Sequence, residues 1–174
     1  MNWKGHVGLS LLISSLLMTP FGLNVITLSF IIITVLFSSL PDTDLIKLLP
    51  IDHRDLTHNV TFGIIFGAIL GAMIGFLAAM FTSNILGIFI GLAIFLGITL
   101  GVFSHLLGDM IAGLRYDGTP WKIKPVRPFS DKSVGYGVFM ATDEKVNIIF
   151  LKVGGLAFLF YITFGIFTRY STIL

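Results

Sequence analysis

The residues able to do chemistry are few and gathered. Leu40 to Asn59 reads L-P-D-T-D-L-I-K-L-L-P-I-D-H-R-D-L-T-H-N and holds Asp42, Asp44, Asp52, His53, Asp55 and His58. The remaining histidines are His6, near the start, and His105, which forms a His-x-x-x-Asp pair with Asp109. On a helix, residues four apart project from one face about 6 Å from each other, near enough to share one cation. Taken alone, that pair is better explained by a satisfied helix end, and the acidic segment has the alternative of a solvated loop in the headgroup region. Together they point elsewhere. Carboxylates packed into one short segment repel one another unless a cation neutralises them, and ionisable groups beside a bilayer are costly to keep. Imidazole and carboxylate without thiolate suit Zn²⁺, Mn²⁺ or Fe²⁺, with Zn²⁺ the first choice. The expected metal ligands are His6, Asp44, His53, His58, His105 and Asp109. Asp42 or Asp55, with Asp52 as a further candidate, is expected to take a proton from metal-bound water. Arg54 is expected to hold a phosphate oxygen through its planar guanidinium.

The elements that must position these groups are apolar. Of 174 residues, 55% are hydrophobic and 11% charged, with a mean hydropathy of +0.97. Soluble domains carry roughly a quarter charged residues, so the composition predicts a single integral membrane domain, 1–174, folded as an all-α helical bundle. About five apolar helices are expected. Val7–Met18 and Val25–Leu40 are short for a span and form either two crossings or a re-entrant hairpin around the Thr19–Asn24 turn. The first run lacks a small-x-small cleavage site, so retention of His6 is expected. Val60–Phe81 and Ile85–Leu107 cross, and Val146–Phe167 is the last span. Gly63, Gly67, Gly71 and Gly75 recur every fourth residue, as do Gly97 and Gly101 ahead of His105 and Asp109. This spacing lets a neighbouring backbone approach closely. Residues 110–145 are too rich in Pro for a helix at their centre and predict a polar loop or flap.

These crossings send Lys4, Lys47, Arg54 and the bases of 110–145 to one face and Arg169 to the other. The excess of Lys and Arg makes that face cytoplasmic in an inner membrane, N-terminus and site included. All four histidines then reach one plane.

Gly5-His6-x-Gly8, Leu40-Pro41-Asp42-Thr43-Asp44, His53-Arg54-Asp55-Leu56-Thr57-His58, His105-Leu106-Leu107-Gly108-Asp109 and Pro128-Phe129-Ser130-Asp131 resemble the inner-membrane-associated metal-dependent hydrolases. Bacterial members of that family are associated with LexA control, and the resemblance covers residues 1–145. More distantly, the order of histidines and aspartates is similar to the all-helical zinc-dependent phospholipase C and P1-type nuclease superfamily. That likeness implies a main metal at Asp44 (or Asp42), His58, His105 and Asp109, and a second at His6 bridged by Asp109. The superfamily also uses histidines downstream and an N-terminal Trp amine. Here no histidine follows His105 and Trp3 follows Met1 and Asn2, so one or two ions are expected.

The resulting expectation is a metal-dependent hydrolase acting on a phosphoester of a lipid or other membrane-associated substrate. Its partners would be membrane lipids and an anionic phosphate-bearing substrate, with nucleic acid not the first choice. A metal-ion transporter or a protein with a purely structural metal is the alternative. A transporter needs ligands deep in the bilayer, and the middles of Val60–Phe81 and Ile85–Leu107 hold no charge or imidazole.

Overall fold

Apolar runs with polar caps become helices wherever the sequence places them. The computed structural model describes residues 1–45 and 57–171. Within them α1 spans Trp3–Met18, α2 Val25–Phe37, α3 Val60–Phe81, α4 Asn84–Ile111 and α5 Glu144–Ser171. Short 3-10 turns follow α1 at Thr19–Phe21 and α2 at Leu40–Leu45. Each start is capped by a side-chain oxygen that takes up amide protons left without helical partners: Asn2 for α1, Asn24 for α2, Asn59 for α3, Ser83 for α4 and Asp143 for α5. No strand occurs among the described residues, only three isolated bridge pairs. Among the described residues four segments have the length and hydropathy to cross a bilayer: Val25–Asp42, Val60–Phe81, Asn84–Ile111 and Glu144–Arg169. The protein is a helical membrane bundle.

Lipid chains are as apolar as Leu, so helices in a bilayer associate by close packing rather than by leaving water. Glycine supplies that closeness. A methyl placed on Gly71 of α3 would lie 2.6 Å from the Gly91 carbonyl of α4. One on Gly101 of α4 would lie 2.6 Å from the Thr34 carbonyl of α2. Thus α4 carries two glycine faces, Gly87 and Gly91 toward α3, and Gly97 and Gly101 toward α2. The second of these is the fourfold series expected from the sequence; the first is added by the structure. Gly8 of α1 rests on the Phe150–Leu151 backbone of α5.

The first hairpin runs the length of the bundle. Its turn residue Leu23 packs against Gly165, which lies ~32 Å along α5 from Glu144 at 1.5 Å per residue. Thr27 Oγ1 and Tyr161 Oη meet at 2.5 Å at the same end.

The polar flap is shorter than expected, because α4 continues through Met110 and Ile111 and α5 starts at Glu144. Gly113, at φ +114°, breaks α4's path in a conformation that favours glycine. The flap is pinned rather than loose. Ile123 and Val134 exchange backbone hydrogen bonds of 3.0 and 2.8 Å, and the Val60 amide donates to the Pro125 carbonyl at 2.8 Å. Thr61 Oγ1 donates to the Arg127 carbonyl at 2.7 Å. The flap therefore docks on the start of α3.

Candidate metal centre

Four elements converge at one end of the bundle. His6 comes from the first turns of α1, Asp42 from the 3-10 turn after α2, His58 from just before α3, and His105 and Asp109 from the last turns of α4. His6, His58 and His105 are fully buried and Asp109 nearly so, while the Asp42 side chain is 32% exposed.

Second partners orient the two central imidazoles. His105 Nδ1 lies 2.7 Å from the Ser38 carbonyl. Ser38 closes α2, where carbonyls lack helical donors, so its oxygen is available to accept from Nδ1–H. Thr57 Oγ1 donates its proton to the Pro41 carbonyl at 2.9 Å, and its oxygen stands 3.2 Å from His58 Nδ1 as an acceptor. Both rings thus keep their protons on Nδ1 and turn their Nε2 lone pairs inward, the tautomer a metal-ligating histidine needs.

The inward atoms form a compact set. The two Nε2 atoms of His58 and His105 are 3.4 Å apart. Asp42 Oδ1 lies 3.5 Å from the first and 3.6 Å from the second. Asp109 Oδ2 lies 3.6 and 3.5 Å from the same two atoms. Four ligands placed tetrahedrally at about 2.0–2.1 Å from Zn²⁺ would be about 3.3–3.4 Å apart, since a tetrahedron's edge is about 1.63 times its radius. Octahedral ligands at similar range would be about 2.9–3.0 Å apart. These five spacings are close to those of donors that share one cation, and His58, His105 and Asp109 together could hold one. Asp109 Oδ2 is buried and receives no hydrogen bond from the protein. A buried carboxylate oxygen in that state is unfavourable unless a cation faces it.

The other oxygen of Asp109 has separate company. Oδ1 makes a 2.6 Å ion pair with the Met1 amino group and lies 3.4 Å from His6 Nε2. His6 Nε2 also lies 3.0 Å from the Met1 carbonyl, and the His6 ring stacks on His105 at 3.8 Å. Gly108 makes room for this ring, for a methyl there would come within 3.1 Å of His6 Nδ1. His6 thus adjoins this set, and with Asp42 and His105 it forms a second group of side chains able to hold one ion.

Of the residues singled out in the sequence, the structure brings His6, Asp42, His58, His105 and Asp109 together. Asp42, expected as a proton acceptor, lies inside the ligand cluster. The Asp44 side chain and Asp52, His53, Arg54 and Asp55 lie outside the described residues. Ser38, Thr57 and the Met1 amine were missed. Thr57 could have been suspected from its place beside His58, whereas a backbone carbonyl leaves no mark in a sequence. On the adjoining flap, the Lys124 ammonium and the Arg127 guanidinium hold the Asp131 carboxyl below the usual carboxylate range.

Neither the curated proteins nor the solved structures offer a match to this chain. The family model described as YdjM inner membrane protein matches residues 1–172.

Proposed function

Starting from a chain that belongs to the YdjM inner membrane protein family, we propose a multi-pass, metal-dependent hydrolase that cleaves a phosphoester of a lipid or other membrane-associated substrate. Asp42, His58, His105 and Asp109 hold one divalent ion, Zn²⁺ first and Mn²⁺ or Fe²⁺ as alternatives. The observation that carries this reading is the set of five ligand-to-ligand distances between 3.4 and 3.6 Å, with a buried Asp109 oxygen that has no hydrogen bond among the described residues.

Such an ion lowers the pKa of its bound water towards neutrality and polarises a phosphoryl oxygen. Asp42 is the exposed member of the set, so substrate and water reach the ion from its side. Asp55 is the proposed proton acceptor and Arg54 the proposed phosphate clamp. A second ion, if bound, would be held by His6 and Asp109. Lys4 and the flap's bases lie at the same end as the site, which makes that end cytoplasmic by the positive-inside rule.

The four-atom shell also favours a second reading, in which a closed site merely ties the 3-10 turn, α3 and α4 together. Turnover separates the two. Elemental analysis of the purified protein gives the ion and its number per chain. Hydrolysis of phosphodiesters and phosphomonoesters with added Zn²⁺ or Mn²⁺ should fall to background in His105→Ala and Asp109→Ala. Hydrolysis that survives in both variants overturns the hydrolase reading, and bound metal without any turnover favours the tie.

A further inference from the structure

Two hydrogen bonds fix the depth of one turn of the flap, residues 125–129. The Val60 amide donates to the Pro125 carbonyl at 2.8 Å, and Thr61 Oγ1 donates to the Arg127 carbonyl at 2.7 Å. Val126 lies between the two anchored residues. Val60 and Thr61 open α3, whose 22 residues rise ~33 Å. The hydrocarbon of a bilayer is about 30 Å thick, so a helix of that length runs from boundary to boundary, with the polar Asn59 and Thr82 just outside its ends. The backbone on either side of Val126 therefore stands where acyl chains give way to headgroups.

We propose that this turn is a wedge that inserts Val126 and Phe129 into the phospholipid leaflet beside the start of α3. Val126 is 51% exposed and Phe129 81%. The turn brings the two together, because the Phe129 amide donates to the Val126 carbonyl at 3.0 Å. Apolar residues exposed singly are common and need no partner. What distinguishes this pair is its position, held level with lipid by a spanning helix. Pro128, between them, shares a cleft wall with Phe62 and Ile65. The apolar surface of the turn thus continues the lipid-facing side of α3, where Ile65 and Ile69 are exposed. Charge agrees with that placement. Lys122 and Lys132 are exposed on either side of the turn in the chain. A lysine at a membrane boundary lays its stem along apolar surface and keeps its ammonium among the phosphates. Asp131, the one acid between them, pairs with Lys124 at 3.1 Å. Ile123, at the entrance to the turn, packs with Val102 and Leu106 of α4. Those residues lie within one helical turn of His105, so an inserted wedge holds the histidine–aspartate end of the bundle at headgroup level. The insertion does not rest on the hydrolase reading.

Nitroxide labelling of the full chain tests this, since the sequence has no cysteine of its own to remove. Single labels at Val126→Cys, Phe129→Cys and Ser133→Cys are compared in liposomes of phosphatidylcholine and phosphatidylglycerol. All three side chains are exposed, so the labels displace no packing. Paramagnetic relaxation reads how often each label meets oxygen, which concentrates in lipid, and a water-soluble nickel chelate. Oxygen should collide more often at 126 and 129 and the chelate more often at 133, a change of sign in the logarithm of their ratio. If the chelate prevails at 126 or 129, the turn stands in water and the proposal is overturned. Rare collision with both reagents would mean that protein covers the turn, this chain or a second copy, and would overturn it too. So would oxygen prevailing at 133 as well, because the whole flap would then lie in lipid with no wedge set apart from it.

Discussion

At the scale of single residues, the site depends on where two protons sit. A histidine binds a cation through whichever nitrogen lacks a proton, and here the Ser38 carbonyl and the Thr57 hydroxyl hold the Nδ1 protons of His105 and His58. The Ser38 contact is backbone and cannot be mutated away, but the Thr57 contact can. Thr57→Val keeps the shape and removes the acceptor. Outer partners of this kind typically contribute about 10–100-fold to metal affinity. We therefore expect Thr57→Val to weaken the ion by about that factor in competition with a chromophoric chelator. Unchanged affinity would mean that His58 is not a ligand.

At the scale of elements, the cluster is as good as the approach of α2 to α4. Ser38 and Asp42 ride on the end of α2, and His105 and Asp109 on α4, so the spacing of those two helices sets the ligand distances. Gly101 permits it, its Cα hydrogens facing the Thr34 carbonyl. Gly101→Ala places a methyl against backbone that cannot rotate away, and overpacking of this kind costs about 1–3 kcal/mol. The expected outcome is a lower thermal midpoint in detergent together with reduced metal content, because Ser38 and Asp42 move with α2. Gly155 is the contrast, for a methyl there meets no neighbour within 4 Å, and Gly155→Ala should leave both readouts unchanged. Equal behaviour of the two variants would remove α2–α4 spacing as the control on the site.

At the scale of the whole molecule, the five described helices carry the histidine–aspartate cluster, the flap and Lys4 at one end and the Leu23 and Thr82 turns at the other. The natural chain has no cysteine, so single cysteines report topology cleanly. Ser133→Cys in the flap should react with a membrane-impermeant maleimide in inverted vesicles, and Thr82→Cys in right-side-out ones. The opposite pattern would turn the site outward. Much of this architecture was legible without coordinates. Apolar runs, the caps Asn24, Asn59 and Ser83, and the fourfold glycine series are local signals, and a helix in lipid answers to local signals because its backbone must satisfy itself. The pairing of His105 with Asp109 is local too, one turn of a single helix. That Asp42 faces the imidazoles was not legible, nor were the inward-facing Nε2 atoms or the contact of Arg127 with Thr61. Those rest on how helices far apart in the chain approach one another to within tenths of an ångström. Periodicity along one helix carries no information about that distance; only the packed glycines between helices decide it.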